Sequence, residues 1–389
     1  MSQLLESRWS ETKDALLEGL QGNKRSVMAT TLENTRKYLS ESATAGATSA
    51  GNVATLNRVI LPVIRRVMPT VIANELVGVQ PLTGPVGQIH TLRVRYSDTF
   101  AGSTGGATVA GEEALSPFKI AEGYSGTTTG KPAATSALEG VAGNKLSIQI
   151  LKQTVEAKTR KLSARWTFEA AQDAQAQQGI DIEAEIMAAL AQEITAEIDQ
   201  EVLRSLATLS STVLTYDQAA VSGTATFVGD EHAALAVQIN RAANLIAQRT
   251  RRGAGNFAVV SPTTLTLLQS ATTSAFARTT EGTFESPTNT KFVGTLNSAM
   301  KVYVNTYAEN DNVLVGYKGS SESDAAAFYC PYIPLMSSGV VLDPATFEPV
   351  VSFMTRYGYV ELTNTASSLG NAADYLATVA VTSANLRFA

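Results

Sequence analysis

Val315-Gly316-Tyr317-Lys318-Gly319, Asp324, Tyr329-Cys330-Pro331-Tyr332, Asp343-Pro344, Phe347-Glu348-Pro349-Val350 and Thr355-Arg356-Tyr357-Gly358 all fall within residues 315–358. Apolar runs at 313–317, 326–330 and 350–360 read as strands threading this block. The block announces no chemistry. Its Cys330 is the single cysteine of the chain, so no intrachain disulfide can form, which suits a reducing cytoplasm.

Working outward, 389 residues suffice for two or three domains sharing a sizeable core. Charged residues make up 17%, below the roughly 25% of an average globular chain, and apolar residues 44%. A chain this poor in charge either buries much of its surface against partners or covers it with Ser, Thr and Ala. The net charge is −5 and no long basic run occurs, so there is no electrostatic footprint for wrapping nucleic acid. The densest positive cluster, Arg249-Thr250-Arg251-Arg252, reads as a solvated helix end whose cations complement the dipole. No apolar run reaches the roughly 18 residues of a membrane span, and the start Met1-Ser2-Gln3-Leu4-Leu5-Glu6 lacks a secretory signal pattern. The expectation is a protein made and used without crossing a membrane by that route.

Along the chain, residues 1–39 read as two short helices with Gly22 as a stop between them, and 40–51 as a flexible linker, which makes the leading segment detachable or arm-like. Residues 53–80 read as short helices punctuated by Pro62, Pro69 and Gly78. Residues 88–96 alternate, with His90, Leu92, Val94 and Tyr96 on one face, as a half-buried strand does. Leu146, Ile148 and Ile150 alternate on even positions, Leu151, Gln153 and Val155 on odd ones, and Leu162, Ala164 and Trp166 on even ones again. The parity changes predict a bulge. Between these strands, residues 97–145 carry nine glycines in 49 residues and too little apolar material for a core. That predicts a long hairpin arm with a loose or partner-ordered tip.

Residues 166–209 read as helical, broken at Gly179 and recapped by Asp181. In the second helix, Ile182, Ile186, Leu190, Ile194, Ile198, Val202 and Leu206 recur every four residues. Such a stripe precesses by about 40° per step, so the helix meets different neighbours along its roughly 43 Å and acts as a spine. Residues 231–249 form an amphipathic helix, 257–260 a buried strand and 302–306 another; Pro262 opens a helix, and 271–291 read as a loop. The mixture without regular alternation predicts an α+β fold.

Catalytic patterns are sparse. His90 and His232 lie 142 positions apart, and neither has a ligand-spaced partner, so both read as structural. Ser116-Pro117-Phe118-Lys119 fits a Ser-x-x-Lys pattern without the elements that accompany it in acyl enzymes. Gly253-Ala254-Gly255-Asn256 precedes a strand instead of following one, so its glycines read as turn glycines and not as a phosphate cradle. No cofactor, metal site or catalytic residue is expected. The charge pattern is more informative. The spine carries Asp181, Glu183, Glu185, Glu193, Glu197, Asp199 and Glu201 against Arg204 alone, while 152–165 carry Lys152, Lys158, Arg160, Lys161 and Arg165 against Glu156 alone. The two segments are complementary. They are expected to meet, within one subunit or between two, which makes Lys152, Lys158, Arg160, Lys161, Arg165, Glu193, Glu197 and Glu201 subunit-interface candidates.

The block at 315–358 resembles the closing region of the major capsid proteins of large contractile-tailed bacteriophages, with further matches at 69–72, 78–81, 87–88, 172–173, 179–185 and 249–257. The resemblance implies the tailed-phage and herpesvirus capsid fold of the Hong Kong ninety-seven type. Its parts would be an N-terminal helical segment and linker (1–52), an N-terminal arm (53–85), an extended hairpin loop (86–166), a peripheral domain with the spine helix (167–230), an axial domain (231–345), and a return strand with the C-terminus (346–389). It implies hexamers and pentamers closing into an icosahedral or elongated shell around double-stranded DNA. Portal, scaffold and decoration proteins would be the partners; assembly would take place in the host cytoplasm and the product would be a virion capsid, without a membrane. Relatives often lose an N-terminal segment after a glutamate in a Leu-x-Glu-like context. Leu4-Leu5-Glu6 and Leu16-Leu17-Glu18 fit loosely, and with the sequence starting at Met1, cleavage is not expected. Some relatives carry a folded insertion in the extended loop, for which 49 glycine-rich residues are too few. The alternatives are an encapsulin-type shell housing enzymes and, more remotely, a soluble hydrolase using Ser116 and Lys119.

Overall fold

The structure, a computed structural model, describes residues 20–44, 72–101, 108–112, 114, 123–178, 181–210, 213–221, 228–250, 252–271, 276–278, 291–297, 299–346, 348–363, 371–382 and 386, with positions 9, 13, 14, 16 and 17 before them. Pro62, Pro69, Ser116, Lys119, Gly179, Arg251 and the linker at 45–51 lie outside the described residues.

In chain order the elements are α1 (Gly22–Thr44), α2 (Ala73–Leu76), β1 (Gly78–Val79), β2 (Val86–Tyr96), α3 (Thr135–Leu138), β3 (Leu146–Glu156), β4 (Lys158–Arg165), α4 (Phe168–Gln178) and α5 (Ile182–Leu209). They continue as β5 (Val213–Tyr216), α6 (Gln218–Val221), α7 (Val228–Thr250), β6 (Phe257–Val260), α8 (Pro262–Ser270), β7 (Phe276–Arg278), β8 (Lys291–Leu296) and β9 (Met300–Val304). The last are β10 (Val313–Gly316), β11 (Ala327–Ser337), β12 (Val341–Leu342), β13 (Pro349–Glu361) and β14 (Leu376–Val381). The mixture is α+β, as expected. The chain forms two compact units, one of residues 1–87, 154–203 and 328–360, the other of 88–153, 204–327 and 361–389.

The first unit is built on a five-stranded sheet of order β1-β11-β13-β12, with β4 also on β13. β4 and β13 run antiparallel in register from Arg165 opposite Val350 to Lys158 opposite Tyr357. Along β13, Val351, Phe353, Thr355 and Tyr357 are buried while the residues between them are half-buried, the period of a strand with one dry face. The expected end of β11 at Cys330 is corrected: the strand runs on through Pro331 and Pro334 to Ser337. Proline lacks only the donor, and the Pro331 carbonyl still accepts from Leu82 N (3.0 Å). The detachable leading segment is corrected as well. From 40 to 44 the chain is the end of helix α1, not linker. Helix α1 buries Val27, Met28 and Leu32, and Asn34 Nδ2 donates to the carbonyls of Leu82 (2.6 Å) and Tyr332 (2.9 Å). Gly22 stands at φ 62° where this helix begins, a left-handed turn that glycine allows at no steric cost.

Helix α5 starts where Asp181 caps it, Glu183 N donating to Asp181 Oδ1 (3.1 Å). Its buried residues precess as the four-residue spacing predicts: Met187 and Leu190 come first, then Ile194, Ile198 with Asp199, and Val202 with Leu203. Asp199, one of the seven acids of the spine, is fully buried. Its Oδ1 accepts from Ile72 N (2.8 Å), a group 127 positions away that local sequence cannot reveal.

The second unit holds a seven-stranded sheet of order β5-β14-β10-β6-β9-β8-β7. Strand β5 is parallel to β14, and β6 parallel to β9; the other pairs are antiparallel. The boundaries expected at 167–230 and 346–389 are therefore redrawn, because β5 and β14 share one sheet with β6 to β10. Residues 276–278, expected in a loop, form its edge strand. Helix α7 packs on β14, β10, β5 and α8. It buries Leu235, Ile239, Ala242 and Ile246 against Val260, Val302, Val315 and Val379. Each such aliphatic side chain contributes about 1.5–3 kcal/mol by leaving water.

The same unit carries the two-stranded β2–β3 ribbon, and here two expectations fail. Leu92 is 67% exposed and Arg95 buried, the reverse of a strand with an apolar core face. A two-stranded ribbon has no core to bury that face against. Strand β3 runs unbroken from Leu146 to Glu156. No bulge is needed at 150–151, because Leu146, Ile148 and Ile150 occupy one exposed face while Leu151, Gln153 and Val155 line the other. The remaining parity change falls at Ala157, between β3 and β4. Among the described residues of the tip, Tyr124 gathers several contacts. Tyr124 packs on Tyr96 (centroids 4.7 Å) and Phe100 (6.0 Å). Its hydroxyl accepts from Asp98 N (3.1 Å) and donates to Lys145 O (2.7 Å). One tyrosine among glycines supplies the core that composition denied.

Candidate functional site

Two constellations concentrate polar side chains, one in each unit. In the first, β4 brings Arg160 onto α5, with Nη1 on Glu197 Oε2 (2.7 Å) and Nη2 on Glu201 Oε2 (2.6 Å). The Arg160 Nε donates to the Tyr357 hydroxyl (2.5 Å), which in turn donates to Glu201. One guanidinium thus ties β4 and β13 to the spine, a fork geometry that lysine could not reproduce. Burial lowers the Arg160 pKa, but the bonds to Glu201 and Tyr357 outweigh it and raise it, so the cation is permanent. Tyr357 is raised by burial first and by Glu201 next, and its ring packs on buried Tyr329 (5.3 Å). Tyr329 itself is raised by burial, then by the charges around it.

The predicted meeting of basic arm and acidic helix is therefore carried by one cation and two carboxylates. Lys158 and Lys161 are exposed on β4, and Glu193 is exposed on α5; none of them joins a described ion pair. Arg165 is 71% exposed and lies 3.8 Å from Glu348. Lys152 is exposed on β3, in the second unit. The exposed lysines suit β4, since charges on a sheet edge discourage unwanted strand pairing.

In the second unit the block that opened the sequence reading becomes a backbone knot. Asn256 Nδ2 donates to Lys318 O (2.5 Å), and Asn256 Oδ1 accepts from Lys318 N (3.0 Å). Arg252 Nη1 pairs with Asp324 Oδ1 (2.5 Å), which also accepts from the Tyr375 hydroxyl (3.3 Å). Tyr317 stacks on Tyr375 (6.4 Å) and is raised by burial and then by Asp324, with Arg252 opposing. The expected turn glycines at 253 and 255 are contact glycines. A Cβ at Gly253 would stand 2.6 Å from the Tyr317 ring, and one at Gly255 2.8 Å from Val315 Cγ1. The expectation for Arg249-Thr250-Arg251-Arg252 divides: Arg249 sits in the last turn of α7, whereas Arg252 is paired with Asp324.

His90 is exposed on β2. His232 is buried, with Nδ1 2.6 Å from Ser270 Oγ. Among the described residues no group of three His, Cys, Asp or Glu could hold a metal ion, and no helix is long and apolar enough to cross a membrane. Asp199, Tyr124 and Asn256 are the site residues that sequence reasoning missed. Each acts on backbone groups far along the chain, where no periodicity points.

The first site ties strands to a helix through side chains and the second ties loop backbone through Asn256: the polar groups of both hold shape, as in a structural protein. Residues 53–381 match the family described as Major capsid protein Gp23. The major capsid protein of Vibrio phage KVP40 is 30% identical over 421 residues, covering 85% of this chain and 82% of that one. That of Enterobacteria phage T4 is 30% identical over 410 residues, covering 82% and 78%. The chain belongs to the Gp23 major capsid protein family. It is a structural shell protein of the phage virion, not an enzyme, and assembles with its own copies. Among solved structures, the capsid of the cyanophage P-SCSP1u overlaps 78% of this chain and 86% of that one at 12% identity, TM-score 0.45. The capsid of Myoviridae phage XM1 overlaps 79% and 91% at 10% identity, TM-score 0.42.

Proposed function

We propose that copies of this chain form hexamers and pentamers that close into an icosahedral or elongated head around double-stranded DNA. The match to a major capsid family over residues 53–381 carries this reading. The exposed β2–β3 ribbon supports it, since a two-stranded ribbon is marginal in water until something covers it. In this reading 53–85 is the N-terminal arm and 86–166 the extended loop, the peripheral domain holds the spine helix α5, and the axial domain holds the seven-stranded sheet with β5 and β14 in it. The DNA is held without sequence readout, since a net charge of −5 offers no basic footprint. Portal, scaffold and decoration proteins complete the head, and assembly takes place in the host cytoplasm. The eight interface candidates divide: Arg160, Glu197 and Glu201 brace the subunit internally, leaving Lys152, Lys158, Lys161, Arg165 and Glu193 for neighbours. Imaging of particles made by the full chain tests this. Five-fold and six-fold capsomers around nuclease-protected DNA are expected; particles that hold a protein cargo and no nucleic acid would assign the chain to enzyme compartments instead.

A further inference from the structure

Arg160, opposite Thr355 on β13, reaches the spine from one face of β4. The other face is open. Across the same ladder Arg165 lies opposite Val350, Ser163 opposite Ser352, Lys161 opposite Met354 and Thr159 opposite Arg356. Cross-strand partners share a face, so these eight side chains stand away from buried Val351, Phe353 and Thr355. The four on β4 are exposed and the four on β13 half-buried. Three of them, Lys161, Arg165 and Arg356, are cations, and none is an acid; Arg165 alone has a described ion-pair partner, Glu348 at 3.8 Å. The Arg356 guanidinium lies over the Tyr332 ring, 5.3 Å from its centroid. Its Nε is buried and has no hydrogen-bond partner among the described residues. A half-buried cation steadied by an aromatic ring, with no carboxylate beside it, is a charge that an arriving anion would stabilise.

We infer that this face of β4 and β13 meets the phosphodiester backbone of the enclosed double-stranded DNA. Arg356, Lys161 and Arg165 face phosphates, and the hydroxyls of Thr159, Ser163 and Ser352 donate beside them. Lys161 stands on the diagonal from Arg356, about 7–8 Å away, and Arg165 lies about 13 Å further along the strand. A duplex carries one charge about every 1.7 Å of its axis, so each cation finds a phosphate whatever the base sequence. The net charge of −5 belongs to the whole chain, whereas this face is positive. Charge complementarity thus selects the polyanion as its occupant. The inference rests on the reading of the chain as a shell around DNA and adds which surface touches it. The neighbour that Lys161 and Arg165 serve is then DNA and not another subunit.

The test is titration of the dilute full-length chain with a short fluorescent duplex of mixed sequence, repeated across salt concentrations. Three phosphate contacts predict a slope of about −2.7 in log affinity against log salt, a loss of about fortyfold between about 50 and 200 mM. Lys161→Gln, Arg165→Gln and Arg356→Gln should each make the slope shallower by about 1. Lys145→Gln, at an exposed lysine of the second unit, should leave it unchanged. Arg356 is half-buried, so the double variant Lys161→Gln, Arg165→Gln, confined to exposed positions, carries the test by itself, with circular dichroism confirming the fold. A slope that the double variant does not change overturns the inference. Polyglutamate that displaces the duplex at equal charge concentration assigns the face to an acidic protein segment and overturns it too. Heads that protect DNA, built from subunits whose duplex binding ignores these substitutions, leave the shell reading intact; particles without nucleic acid remove both.

Discussion

Arg160 shows how much one side chain can hold, and also how little a surface ion pair is worth. Its carboxylate partners are 45% and 41% exposed, so solvent discounts both pairs. Arg160→Ala should cost about 1–2 kcal/mol, read as a lower urea midpoint with an unchanged slope, with Arg160→Lys recovering less than half. No shift in either variant would mean the hub does not brace the sheet. Cys330 gives a sharper test. Burial pushes its thiol from 9.0 up to about 12, and burial likewise pushes Tyr216 from 10.0 up to about 12. Both folded values are raised, so both stabilise fully below the unfolded values and lose that contribution as pH climbs toward about 12. Stability should fall from about pH 9 upward, and Cys330→Ala should flatten the first part of that fall. A thiol reagent should find no reactive group in the folded chain at pH 8 and one after denaturation. Rapid labelling of native protein would show that β11 is not closed over Cys330.

Elements were legible wherever a periodicity had one cause. The four-residue stripe gave the spine because its steps from Leu190 to Leu206 are buried in turn, and Phe257–Val260 was read to the residue because a run buried on both faces looks like nothing else. Strands β5 and β14 were not legible: their parallel pairing joins segments about 165 positions apart, a relation stored in neither segment alone. The apolar row of β3 misled because alternation reports a shared face, not whether anything covers it. At the spine, Ile198→Ala removes a nearly fully buried side chain and should cost about 2–5 kcal/mol in denaturant titration; a cost under ~1 kcal/mol would place that face at an open surface. Gly358→Ala belongs to this scale because the Cβ would stand 2.4 Å from Val155 Cγ1 and 3.1 Å from Glu156 O, where β13 passes the end of β3. A loss of about 1–3 kcal/mol is expected by calorimetry, and an unmoved transition would show that the approach is looser than described.

The whole molecule is a charge-poor chain whose buried polar groups include several that fasten its own backbone and whose exposed apolar side chains include a row on the ribbon and a run in the β12 turn. That division accounts for the absence of a legible chemistry in the sequence, since surfaces meant for copies of the same chain need shape and sign, not nucleophiles. Sedimentation velocity of the purified full chain across a hundredfold range of concentration tests this most directly. The account predicts that large closed assemblies replace the slow species as concentration rises. One slow boundary with the mass of a single chain at every concentration would contradict it.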